Sequence, residues 1–188
     1  MYEPAEDSEL LKKVVGKYLK GKKVSKALDM GTGSGIQALS LINFSDYVLA
    51  VDIDKESVAH VKKIILEKGI SDKMEALVSD LFHDVPSRLV HSFNLIVFNP
   101  PYLPKGEDDY EDSELFGGAD GIHLTRTFLL QAKEFLAENG VIFFVASSFA
   151  KISLLEEAMK KLGYKFEVVD KVHISFEDIL IYKAWLDE

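Results

Sequence analysis

Strand-like apolar runs at 26–30, 47–52, 75–79, 93–98 and 141–146 alternate with helical patterns at about 36–43, 55–68 and 122–138. Few folds accept that alternation. Two parallel strands need a long crossover between them, and a helix supplies it, so repeated strand–helix units predict a mostly parallel sheet with helices on both faces. An earlier helical stripe over 8–20 carries Leu10, Leu11, Val14, Val15, Tyr18 and Leu19 on one side. A further helix over 151–162 should stop near Gly163. The last two strands, 164–172 and 179–186, have no helix between them and predict an antiparallel hairpin at one edge. The expectation is one α/β domain over 1–188 with a seven-stranded sheet.

Composition removes other classes. With 188 residues and 47% hydrophobic content the chain can bury a sizeable core. It has no cysteine, so neither disulfides nor thiolate metal sites are expected. Its five histidines (60, 83, 91, 123, 173) lack metal-ligand spacing, and no metal is expected. A formal net charge of −9 argues against gripping nucleic acid by charge alone. No apolar run reaches membrane-span length, and the opening "MYEPAEDSEL" lacks the basic and apolar parts of a signal peptide, so a cytoplasmic location is expected.

In such a sheet, ligands bind beyond the carboxyl ends of the strands. Four unusual segments fall there: "DMGTGSG" (29–35), "VDID" (51–54), "SDLF" (79–82) and "NPPY" (99–102). Gly31, Gly33 and Gly35 allow a tight turn and close approach of a ligand, and the helix they open would favour an anion. The dinucleotide fingerprint would need glycine at 36, where Ile36 stands, which disfavours a nicotinamide oxidoreductase. Asp52 suits the two hydroxyls of a ribose, because Asp54 is better placed to cap the next helix. Asp80 suits an exocyclic adenine amine or, equally, a simple turn.

NPPY presents two acceptors on a stiff turn. Asn99 has a side-chain carbonyl, and Pro100 has a backbone carbonyl with no N–H beside it. That pair matches a planar NH2 with two in-plane donors, a carboxamide or an aryl amine, with Tyr102 able to pack on its face.

These residues resemble a class I S-adenosylmethionine-dependent methyltransferase, a Rossmann-like fold. "NPPY" is similar to the signature of enzymes that methylate planar nitrogens. "YEPAEDSELL" (2–11) resembles the opening signature of the HemK family, in the short archaeal and eukaryotic branch that methylates the glutamine of class I release factors. "GGADG" (117–121) also matches that family, and the separate N-terminal helical domain of its bacterial members is not expected. The resemblance implies S-adenosyl-L-methionine as cofactor. It places Ser8, Asp29 and Gly31 at the methionine end, Asp52 on the ribose and Asp80 on the adenine, with Thr32, Gly33, Ile53, Leu81 and Asn99 among the cofactor contacts. Asn99, Pro100, Pro101 and Tyr102 would hold the glutamine, and Asn99, Pro100 and Tyr102 carry the catalysis. It further implies a small zinc-binding activator protein as partner and a lid formed by 1–25. The acidic stretch 105–116 departs from the pattern and reads as a flexible flap suited to a basic protein substrate.

The second reading is an adenine-N6 methyltransferase on DNA or RNA, since that target is also a planar NH2. Base flipping and a basic groove would be needed, which the charge disfavours. A non-catalytic cofactor-binding module would not require NPPY.

Overall fold

The stripe near the chain start forms α1 (Glu6–Leu19), whose face of Leu11, Val14, Val15 and Leu19 is buried. The computed structural model describes residues 6–101, 121–174 and 176–187. After α1 come β1 (Val24–Met30), α2 (Ile36–Leu41), β2 (Ser45–Asp52), α3 (Lys55–Lys68), β3 (Met74–Val78), β4 (Phe93–Phe98), α4 (His123–Phe135), β5 (Leu136–Ser147), α5 (Ile152–Lys161), β6 (Tyr164–Ile174) and β7 (Glu177–Leu186). A short 3-10 turn, Ser87–Leu89, precedes β4.

The seven strands form one sheet in the order β3-β2-β1-β4-β5-β7-β6. β1, β2, β3, β4 and β5 run parallel, and β7 is antiparallel to both β5 and β6. The expected C-terminal hairpin is present, with β6 on the outside.

The two-residue period of strands decides which side chains meet which helices. Leu28, Met30, Ile96, Phe98, Ile142 and Phe144 face one layer, packed with Phe128 and Leu129 of α4 and with Leu155 and Met159 of α5. Ala27, Val48, Ala50, Leu95, Val97 and Phe143 face the other, packed with α1, α2 and α3. A fully buried side chain of this size contributes roughly 1.5–3 kcal/mol, so both layers are needed to hold the central strands. Because the end of β4 is covered on both sides, Leu95–Phe98 reads as an unbroken apolar run, while in β1 only the stretch from Ala27 onward is buried throughout.

Local signals set most boundaries. Asp54 caps α3, its carboxylate accepting from Glu56 and Ser57 amides. Gly163 sits in the left-handed region just past α5, with its N–H bonded to the Lys160 carbonyl. One boundary differs from expectation. The helix expected to reach 138 stops at Phe135, and Leu136 already pairs with Phe93. The strand then shifts register before Leu95 pairs with Val141, and Asn139 takes a positive φ of 57°.

Candidate active site

The site is built where the strand order turns back on itself. β1 lies between β2 and β4, so the connections leaving β1 and β4 part in opposite directions and open a crevice at their carboxyl ends. Register puts Met30 level with Val51 and with Phe98. Gly31, Asp52 and Asn99 therefore stand at neighbouring levels just beyond the sheet. Alternation does the rest: Asp29 and Asp52 share parity with Ala27, Val48 and Ala50 and lie on the α1–α3 side.

Asp29 is buried. Its Oδ2 accepts from Thr32 Oγ1 at 2.7 Å and from the Ala38 N–H at 2.9 Å. Burial pushes its pKa up to about 7, opposed by those two hydrogen bonds and assisted by the nearby Asp52 charge. Asp52 accepts from Gly33 N–H at 2.8 Å on Oδ2 and from Asp54 N–H at 2.9 Å on Oδ1. It thus ties the glycine loop to the end of β2, and a carboxylate with two bonds still has room for about two more.

Much of the loop's backbone hydrogen bonding is internal. The N–H groups of Thr32, Gly35 and Leu39 go to carbonyls of Val51, Thr32 and Gly35, while those of Gly33 and Ala38 go to Asp52 and Asp29. These five donors are committed, and the carboxylates of Asp29 and Asp52 stand beside them. Gly33, at φ 50°, faces open space where a Cβ would be, which leaves room for a ligand against the backbone. At Gly31, φ 63°, an added Cβ would come to 3.3 Å from the Phe98 ring.

Asp80 is exposed just past β3, and Ile53, beside Asp52, is 55% exposed despite being apolar. The turn after β3 is held by Ser79, whose Oγ donates to the Leu81 carbonyl at 2.8 Å and accepts from Asp84 N–H at 2.9 Å. Leu81 is buried with φ 46°, an unusual conformation for leucine that this clamp maintains.

Asn99 caps β4. Its Nδ2 donates to Ser8 Oγ at 3.0 Å and to Asp7 Oδ2 at 3.3 Å. Its Oδ1 is buried and has no partner among the described residues. Pro100 is buried and Pro101 exposed. Tyr102, the 105–116 stretch and all of 117–121 except Gly121 lie outside the described residues, as do residues 1–5.

The structure thus brings Ser8, Asp29, Thr32, Gly33, Asp52 and Asn99 to one edge, with Gly31, Ile53, Asp80 and Leu81 on the same rim. Sequence reasoning missed Asp7 and Gln37. Asp7 is buried and holds Asn99, and Gln37 Nε2 donates to the Ser8 carbonyl at 2.8 Å, fixing the first turn of α1 over the site. Asp7 precedes Leu11 by one helical turn, so the stripe itself places it on the buried face. A shallow groove between α1 and α2, lined by Lys12, Gly16, Ser40 and Phe44, lies away from these strand ends and has no part in the site. Among the described residues no group of three or more acidic or histidine side chains is placed to hold a metal, and no helix is long and apolar enough to cross a membrane.

A seven-stranded α/β sheet with carboxylates at its crevice and a capped Asn-Pro turn beside them defines the S-adenosylmethionine-dependent methyltransferase class. Within it, the chain belongs to the methyltransferase small domain family, whose model matches residues 7–174. It is 31% identical over 190 residues to a Methanocaldococcus jannaschii chain provisionally named protein N5-glutamine methyltransferase, covering 98% of this chain and 91% of that one. It is 29% identical over 174 residues to the release factor glutamine methyltransferase of Clostridium botulinum, covering 86% of this chain but 60% of that longer one. Among solved structures it resembles the Mtq2–Trm112 complex of E. cuniculi, responsible for methylation of the termination factor eRF1, with a TM-score of 0.75, 21% identity and coverage of 99% and 98%.

Proposed function

We propose that this chain transfers a methyl group from S-adenosylmethionine to the side-chain nitrogen of a glutamine in a class I translation release factor. One observation carries the reading: Asn99 is locked by its NH2 while its Oδ1 is left buried without a partner among the described residues. An orphaned buried acceptor costs roughly 1–3 kcal/mol unless something donates to it, and an incoming amide NH2 would. The names of the two relatives support the same acceptor.

The residues present fit the cofactor. Asp29 and the open face of Gly33 suit its methionine end, Asp52 its ribose, and Asp80 with the exposed Ile53 its adenine. A loop lined by the carboxyls of Asp29 and Asp52 suits a cation. When bound, the cofactor supplies a methyl group already activated on a sulfonium. The protein's task is then alignment. Asn99 Oδ1 and the Pro100 carbonyl accept the two N–H bonds of the glutamine amide and aim its nitrogen, a poor nucleophile whose lone pair is delocalised. Positioning of this kind supplies on the order of 7 kcal/mol in favourable cases. Positive charge growing on that nitrogen is stabilised by the same two oxygens. Asp7 adds to this, because a carboxylate accepting from the Asn99 NH2 polarises the amide and makes Oδ1 a stronger acceptor. The methylated amide nitrogen then loses its extra proton to solvent. Tyr102 is reserved for the flat face of the glutamine amide. By analogy with the Mtq2–Trm112 assembly, we further propose that a small zinc-binding protein accompanies this chain.

The test is methyl transfer from labelled cofactor with a class I release factor, DNA and RNA offered side by side, with and without such a partner. Transfer to a release-factor glutamine is expected. Asn99→Ala should lower kcat by about 10² to 10³ and leave cofactor affinity within about twofold. Ready methylation of nucleic acid, with every release factor ignored, would overturn the reading in favour of adenine.

A further inference from the structure

The catalytic edge has a second half. Asp29, Asp52 and Asp80 occupy the ends of β1, β2 and β3, on one side of Asn99. On the other side, β5 outlasts β4. Phe98 is level with Phe144, so Asn99 stands level with Val145, and β5 continues to Ser147. β7 enters beside it, with Ser147 paired to Ile179 and the Ser148 N–H bonded to the Asp178 carbonyl. β5 ends there in a turn closed by the Ala150 N–H on the Ser147 carbonyl, and Ser147 Oγ joins the Phe149 N–H to the Glu177 carboxylate, which places Phe149 beside the start of β7 and so near Phe176 at the tip of the β6–β7 hairpin. With strands about 4.8 Å apart and about 3.3 Å per residue, this tip rises roughly 10–13 Å beyond Asn99 and lies about two strands to its side.

Both phenylalanines face solvent, Phe149 at 51% and Phe176 at 90% exposure. The tip that carries them is braced. Ser147 Oγ donates to Glu177 and accepts from Phe149 N–H at 3.0 Å. The Asp178 N–H donates to Ser148 Oγ at 2.8 Å, and the Asp178 carboxylate bonds Lys171 and His173 at 2.7 and 2.9 Å. Two large aromatics presented to water on a polar, cross-braced turn contribute little to the core. Pre-ordered exposed aromatics do lower the entropy lost on binding, and aromatics dominate the energetics of protein contacts.

We propose that Phe149 and Phe176 form the docking rim for the polypeptide segment that carries the methylated glutamine, contacting apolar side chains that flank it. This rests on the glutamine reading above. The choice of occupant follows from continuity. The rim adjoins the end of β4 on the side opposite the carboxylates, so an acceptor reaching Asn99 from outside the cofactor half passes over it. An extended segment covers about 3.3 Å per residue, so residues four or five positions from the glutamine reach the tip.

The test uses Phe149→Ser, Phe176→Ser and the double variant, with Phe176→Leu as the apolar control, in steady-state methylation of a class I release factor. The double variant should raise KM for release factor by about 10- to 100-fold while kcat and cofactor Kd stay within about twofold. Phe176→Leu should stay within about threefold of the unmodified enzyme. A double variant with unchanged KM, in an enzyme that methylates release factor, overturns the rim and spares the glutamine reading. An unmodified enzyme inactive on every release factor sinks both. Loss of kcat together with a lowered Tm would mean a structural role and also overturns the proposal. So would a KM defect cured by excess small partner protein, or loss of self-association with release-factor kinetics intact.

Discussion

Asp29 shows how one buried carboxyl can serve two ends. It anchors the glycine loop through Thr32 and the start of α2 through Ala38. An unfolded aspartate titrates near 4, whereas burial pushes Asp29 up to about 7 in the fold. Between these values the folded state holds the extra proton. The group's contribution to stability is therefore complete below about pH 4 and is lost as pH rises through about 7, on the order of 2–4 kcal/mol in all. Asp29→Asn keeps a carbonyl acceptor and removes the ionisation. Its Tm should fall less between pH 4 and 8 than that of the unmodified protein, and at pH 8 the variant should be at least as stable. Parallel pH profiles of Tm for the two proteins would show that Asp29 is ionised throughout. The importance of this residue was legible in the sequence, since a carboxyl ending an apolar strand before a glycine loop has few other uses. Asn99 was legible for a like reason. Asp7 and Gln37 were not, because their partners lie 92 and 29 residues away in the chain.

At the scale of elements, local chemistry and long-range pairing divide the outcome. α3 was readable from end to end, because Asp54 caps it and Gly69, at φ 62°, closes it. The entry to β5 was not. Leu129, Ala132, Phe135 and Leu136 prolong the helical spacing, and only pairing with Phe93, on another strand, draws Leu136 into the sheet. Gly140 makes that entry possible. A Cβ there would stand 2.8 Å from both the Ala137 and Phe93 carbonyl oxygens and 2.9 Å from Leu136 Cδ1. Two of those three atoms are backbone and have nowhere to go. Gly140→Ala should therefore destabilise the protein by about 1–3 kcal/mol, the usual range for overpacking, read as a lower urea midpoint with an unchanged slope. Unaltered stability would mean that the irregular start of β5 yields easily. The order of the strands was only partly readable: the edge hairpin followed from two strands without a helix between them, but the placement of β7 inside β6 did not.

Across the whole molecule the sheet divides at Asn99 into a half with carboxylates at its strand ends and a half with aromatics at its rim. The division follows from chain order. β1, β2 and β3 run outward to one edge, while β4, β5 and the antiparallel hairpin fill the other side. α1 joins the halves, because its first turn holds Asn99 through Asp7 and Ser8 and is itself held by Gln37. Two ligands should then leave separate signatures in amide hydrogen exchange. S-adenosylmethionine should slow exchange at 31–35, 52–54 and 79–82 and in the first turn of α1, where local opening would break its site. It should leave 147–150 and 176–178 unchanged. Release factor should do the reverse, protecting the hairpin tip and the end of β5. Local opening lies well below global unfolding in free energy, so these effects are readable while the central strands β1 and β4, buried on both faces, remain the slowest to exchange with or without ligand. Protection of the hairpin tip by cofactor alone would show that the two halves are coupled through the sheet, and the division at Asn99 would then describe the surface but not the energetics.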